Sequence, residues 1–312
     1  MTSLAVSKQV IVDFFVFLSL CVPVLIVHIM AEPVNVGFFC KDESLTLPYK
    51  PDTVSQALLL IVSVGSPFVV IAVTEGFRAA AKTRQPQRVR TAMFIYAKAF
   101  GLFLFGLVIN CIFTDTIKYS FGRLRPHFLD LCKPDFTKFN CTDEYGVAKY
   151  IQDYECTNTL ADEKLIKDSH MSFPSGHASV SVYSAIFVVL YLQLRMNITV
   201  SHFLRPALQV GFLLMATLCC ITRVTDHKHF STDVIAGSLL GATTAGLLFF
   251  KIGWRLIPGA LTSSPPRLPR ATSIESEPQT PTPLLRPERL VINNIYKNGN
   301  VQGLKDGFLN KV

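Results

Sequence analysis

The chain has 312 residues, half of them hydrophobic and 17% charged, with 30 basic against 22 acidic residues and a mean hydropathy of +0.37. Soluble domains usually carry about a quarter charged residues, so the composition excludes disorder and a disulfide-stapled miniprotein and points to the membrane. The net charge of +8 admits nucleic-acid binding until the charges are placed along the chain.

A helix crossing the hydrocarbon core needs about 20 mainly apolar residues. Six segments qualify, 10–30, 54–74, 92–117, 177–194, 206–222 and 232–252. They predict an all-α polytopic membrane protein with six transmembrane helices, a membrane core over 1–254 and a tail over 255–312. A cleaved signal peptide is the alternative for the first segment, but its apolar run is long, contains Asp13 and precedes no small-x-small site.

Taken in order, loop 31–53 carries Cys40, two basic and four acidic residues. Loop 76–91 holds Arg78, Lys82, Arg84, Arg88 and Arg90 with no acid. Loop 118–176 holds eight basic and nine acidic residues, Cys132, Cys141, Cys156 and the sequon Asn140-Cys141-Thr142. Loop 195–205 adds Arg195 and Arg205 without an acid, and a second sequon at Asn197. Basic loops stay cytosolic, which places loops 76–91, 195–205 and both termini in the cytosol. The three remaining loops face the lumen or the exterior, where disulfides form and Asn140 is open to glycosylation; the cysteine pairing cannot be deduced. The basic excess is thereby an orientation signal, and no nucleic acid is expected as a partner.

Three polar stretches fall at helix ends on that outer side. The first runs from Lys118 to Pro126; Lys118 and Arg125 are seven apart and share a face on a helical continuation. The second is Phe173-Pro174-Ser175-Gly176-His177, where Ser175 is a candidate cap and Gly176 admits a ligand close to the backbone at an anion-favouring helix start. The third runs from Thr222 to Asp233; His229 and Asp233 are four apart and share a face on a helical start. A carboxylate on one imidazole nitrogen would fix the tautomer and free the other to attack. His227 and His229 lack a third and fourth metal ligand nearby, so no metal is expected. Singly these stretches read as snorkelling anchors, a capped helix and an interfacial histidine. Together they bring Lys118, Arg125, Arg223, His177, His229 and Asp233 to one membrane face, the inventory that phosphoryl transfer needs.

Lys118 to Pro126 fits K-x6-R-P, Pro174 to His177 reads P-S-G-H, and Arg223 to Asp233 fits S-R-x5-H-x3-D except at Thr222. The set resembles the three signatures of the lipid phosphate phosphatases (phospholipid phosphatases) of the type 2 phosphatidic acid phosphatase superfamily, over about 10–252. The resemblance implies an exoplasmic active site that dephosphorylates phosphatidate, lysophosphatidate, sphingosine 1-phosphate or ceramide 1-phosphate without a divalent cation or other cofactor. It implies His229 as the nucleophile forming a phosphohistidine, Asp233 as its orienting partner and His177 as the acid for the leaving alkoxide. Lys118, Arg125 and Arg223, with Ser175 and Gly176, would bind the phosphate. The plasma membrane is the expected location, with endoplasmic reticulum or Golgi as alternatives. A non-catalytic relative in adhesion or lipid signalling is the rival from another class, and the glucose-6-phosphatase type, with more spans, is the rival enzyme.

Two features lie outside the signatures. Gly237, Gly241 and Ala245 form a small-residue stripe on the last span, suited to packing within the bundle, with a homo-oligomer left open. Residues 258–290 contain eight prolines among Ser, Thr and Arg, predicting a disordered cytosolic tail; Pro266-Arg267-Leu268-Pro269 lacks the arginine spacing of an SH3 ligand.

Overall fold

The computed structural model describes residues 2–80, 86–196 and 201–257. The second sequon at 197–199, the basic residues Lys82 and Arg84, and the tail beyond 257 with its 266–269 segment lie outside the described residues.

Apolar periodicity yields helices at each expected span: α1 (Thr2–Met30), α2 (Gln56–Ala80), α3 (Pro86–Phe121), then, after two short helices, α6 (Gly176–Arg195), α7 (Leu204–Thr225) and α8 (Ser231–Leu248). A π-helical turn, Phe249–Gly253, and a last helical turn, Trp254–Leu256, extend α8. Among the described residues, α2, α3, α6, α7 and extended α8 are long and apolar enough to cross a membrane. The apolar stretch of α1, Ile11–Val27, is shorter.

α6 is the axis of the bundle. Of its most apolar stretch 67% is buried in protein, against 17% for α7 and 22% for α3. A helix wrapped by other helices need not be as apolar as one facing lipid, which explains why this segment is the least hydrophobic of the five. Its polar groups are satisfied internally: the Tyr183 hydroxyl donates to the Phe103 carbonyl at 2.7 Å and Ser184 to the Ser63 carbonyl at 2.7 Å. Aromatic packing of Phe103, Tyr183 and Phe187 fills the centre.

α8 lies flat against α6 because it has no side chains in the way. A Cβ on Gly237 would run into the Ser175 carbonyl, and one on Gly241 into the Ser179 carbonyl, while Ala245 is fully buried. The small-residue stripe therefore packs inside the bundle, and it sets the distance between the second and third polar stretches.

At one end, which carries all three polar stretches, a small polar cap covers the helices. It contains β1 (Phe38–Phe39), paired antiparallel with β2 (Tyr150–Ile151), and the short helices α4 (Phe128–Cys132) and α5 (Glu163–Ser169). Phe38, Leu45, Leu124 and Phe128 form its core. Cys40 is bonded to Cys141 and Cys132 to Cys156, so the four loop cysteines form two disulfides.

At the opposite end Arg195 is held inside the bundle. It closes α6 as a buried residue, Nη2 lying 2.6 Å and Nε 2.8 Å from the two carboxylate oxygens of Glu75, whose Oε1 also accepts from the Tyr191 hydroxyl at 2.7 Å. The residue read from sequence as the start of a loop is thus the last residue of a helix, paired inside the bundle.

Candidate active site

α3 runs past its apolar stretch to Phe121, so Lys118 occupies its last turn. Gly122 then adopts φ +56°, a left-handed conformation that ends helices. The helical continuation expected through Arg125 does not occur; Arg125 reaches the site from the following loop, its backbone N–H donating to the Ser169 carbonyl at 2.9 Å. The Arg125 Nη2 bonds Asp168 at 2.8 Å, while its buried Nε has no hydrogen-bond partner among the described residues. Burial raises the Asp168 carboxyl, but Arg125 and Lys118 outweigh this and hold it below the usual carboxylate range.

Ser175 caps α6 through the Ala178 N–H. The next residue has no side chain, and a Cβ on Gly176 would sit 3.8 Å from the Lys118 ammonium. The Lys118 charge therefore lies over the first turn of α6, where the helix dipole also attracts an anion.

Arg223, on the last turn of α7, is 1% exposed. Its Nη1 meets Asp52 at 2.6 Å, and its Nη2 meets Asp226 at 3.2 Å and the Val54 carbonyl at 3.2 Å. Its Nε, like that of Arg125, has no partner among the described residues. His177 donates from Nε2 to the same Val54 carbonyl at 3.1 Å, so one peptide oxygen joins α6 to α7.

His229 sits in the turn before α8, which begins at Ser231. Its Nδ1 lies 2.7 Å from the Ser172 carbonyl and 3.9 Å from Asp233 Oδ2. The direct partner is thus a carbonyl, and the expected Asp233–His229 hydrogen bond is not made. The helix starts after His229, so the two residues do not share a helical face. A carbonyl only accepts, which places the proton on Nδ1 and the lone pair on Nε2. Burial first, then Arg125 and Lys118, push the His229 pKa well below the ordinary histidine value; the ring is neutral at pH 7. Asp233 instead receives the Ser172 hydroxyl at 2.6 Å, the Phe230 N–H at 3.1 Å and Arg123 Nη1 at 2.5 Å.

His227, the other histidine of this turn, adopts φ +58° and bonds the Pro48 carbonyl through Nδ1 at 3.0 Å. The two histidines therefore engage different carbonyls. Lys228 between them is buried, its ammonium 3.8 Å from the Tyr49 ring centroid.

The profile of the PAP2 superfamily matches residues 99–257. The chain is 36% identical over 241 residues to phospholipid phosphatase 1 of Rattus norvegicus, covering 77% of this chain and 83% of that protein. It is 32% identical over 272 residues to phospholipid phosphatase 2 of Bos taurus, covering 86% and 90%. No solved structure matches. The chain belongs to the lipid phosphate phosphatase family of the PAP2 superfamily.

Within this lipid phosphate phosphatase, the polar stretches read from sequence lie at one end of the bundle. The sequence reading missed the groups that hold them: Asp52, Val54, Asp168, Ser172 and Arg123. Asp52 and Asp168 are 171 and 43 residues from the arginines they pair with, separations that no local pattern reports. Arg123 was visible only as a basic residue inside the first stretch.

Proposed function

We propose that the protein is a divalent-cation-independent lipid phosphate phosphohydrolase acting on phosphatidate, lysophosphatidate, sphingosine 1-phosphate or ceramide 1-phosphate. One observation carries this reading: buried Arg125 faces the neutral, buried imidazole of His229 together with Lys118, buried Arg223 shares the Val54 carbonyl with His177, and among the described residues each arginine keeps an Nε without a partner. Such a donor set fits the equatorial oxygens of a phosphoryl group.

Lys118, Arg125 and Arg223 hold the phosphoryl oxygens, with the Ser175 cap and the Gly176 amide at the helix start. Nε2 of His229 attacks phosphorus in line, forming an N–P bond as the P–O bond to the lipid breaks. The leaving alkoxide takes a proton from His177. A protonated His177 keeps its Nε2 bond to Val54 and has the Nδ1 proton to give. Water then attacks the phosphohistidine, its proton passes to His177, and inorganic phosphate leaves. Asp233 supports His229 through Ser172 rather than by direct contact.

Six spans with α1 as the first, both termini cytosolic and the site facing the exterior or lumen complete the reading. Its support is the position of both disulfides at the motif end, since such bonds persist in oxidising compartments. Asn140 is exposed on the same cap, available for glycosylation. Plasma membrane is the favoured location, with the substrate entering sideways from the outer leaflet.

Purified protein is expected to release phosphate from phosphatidate micelles in EDTA, and His229→Ala to abolish it. Equal release by both proteins overturns the assignment. A panel of the four lipids then ranks the substrates.

A further inference from the structure

Arg123 occupies an unspecified position of the first signature, yet it bonds the third and the residue two before the second. Its carbonyl accepts the Ser172 N–H at 2.8 Å, and its Nη1 reaches Asp233 at 2.5 Å and the Thr232 hydroxyl at 2.9 Å. Its guanidinium also lies 4.3 Å from the ring centroid of Phe230, the neighbour of His229. Ser172 in turn donates its hydroxyl to Asp233. Arg123, Ser172 and Asp233 thus form a closed ring joining the loop after α3, the loop before α6 and the start of α8. The Ser172 carbonyl that holds His229 Nδ1 belongs to this ring.

The Asp233 side chain is fully buried, whereas the Arg123 side chain is 38% exposed. A buried carboxylate without a cation is costly. With its charge uncompensated 3.9 Å from Nδ1, it would also stabilise the imidazolium form of His229.

We propose that Arg123 is a positioning residue for phosphoryl transfer: by holding Asp233 it fixes the Ser172 carbonyl, and with it the attacking nitrogen of His229. The inference deepens the proposed function and rests on His229 being the nucleophile. The charged groups facing His229 are Lys118 from α3, Arg125 from the loop after it, His177 from α6 and Asp233 from α8; Lys228 precedes it in the turn. The cations oppose protonation of the ring and Asp233 favours it, so Arg123 restrains the one group that would protonate the nucleophile.

The test is a double-mutant cycle on the full-length enzyme in detergent, following phosphate release from phosphatidate across pH 4.5–9. Arg123→Gln is expected to lower kcat by about 10–100-fold with little change in KM, the range for a group that orients a catalytic ligand. Its acid limb should move to higher pH. Arg123→Lys should restore part of both. In an Asp233→Asn background, Arg123→Gln should add no further loss and no pH shift, because the charge it restrains is gone. Wild-type kcat and acid limb in Arg123→Gln overturn the proposal, as do effects that multiply in the double variant. A lower melting temperature with normal kcat does so too. Should the glutamine variant not fold, Ser172→Ala reads the same ring: a lower kcat at unchanged KM supports it, and wild-type kcat overturns it. A wild-type protein that releases no phosphate fails earlier, and sinks the proposed function itself.

Discussion

The two ends of this helical bundle both bury arginine, in opposite ways. At one end Arg195 faces both oxygens of Glu75, with Tyr191 on the same carboxylate. At the other, Arg125 and Arg223 each keep a buried Nε without a partner among the described residues, and their carboxylates, Asp168 and Asp52, are half exposed at 45% and 40%. A closed ion pair couples two helices and offers nothing to a ligand. An arginine held by some donors, with another left over, is oriented and still able to bind. Burial alone does not separate structure from chemistry; the unspent donors do.

That contrast is testable from both sides. Arg223→Ala is expected to lower kcat/KM by about 10²–10³-fold, the usual loss when one transition-state donor is removed, as measured by phosphate release. At the opposite end, Glu75→Gln strands the Arg195 charge and should cost about 3–5 kcal/mol of stability. Thermal melting in detergent would show it, while kcat per folded enzyme stays at the wild-type value. Glu75→Met with Arg195→Met should recover most of the loss; failure to recover would mean the pair does more than join α2 to α6.

The cap over the motif end should matter less than the cations. Removing the Cys132–Cys156 bond, with its sequence separation of 24, is expected to cost about 3 kcal/mol, read as a lower melting temperature of the Cys132→Ser/Cys156→Ser variant. The pH profile sharpens the same comparison. Because His229 is held below its ordinary pKa, it stays neutral at pH 6.5 and protonates only below it, so the acid limb of kcat/KM should lie below that value. Lys118→Met removes one of the cations responsible, and the residual activity should show an acid limb at higher pH. The requirement for protonated His177 supplies the basic limb. The smallest effect is expected for Thr222→Ser. The Thr222 hydroxyl donates to the Cys219 carbonyl at 2.7 Å, a bond serine keeps, so kcat/KM should change by no more than about twofold.

Much of this was legible in the sequence because it is local. Helix positions follow from apolar runs, and Ser175 capping α6 follows from its place before Gly176 and His177. The small-residue stripe on α8 announced a close helix contact, although only the structure showed the partner to be α6. Where the sequence reading erred, a backbone turn intervened. Gly122 ends α3 before Arg125, and α8 starts after His229, so two pairs expected on shared helical faces are separated. The pairing of Arg195 with Glu75, 120 residues away, was likewise beyond any local pattern.

From sequence alone came the membrane class, the phosphatase family and the positions of its signature residues, since hydrophobic run length and the signature spacings are properties of short segments. The tertiary structure decided how those side chains are held: His229 by the Ser172 carbonyl, Asp233 by Arg123, and Arg223 by Asp52, Asp226 and Val54. These contacts depend on where helices end and on how closely α8 approaches α6. Their energies come from desolvation and from hydrogen bonds between residues far apart in the chain, which no local pattern records.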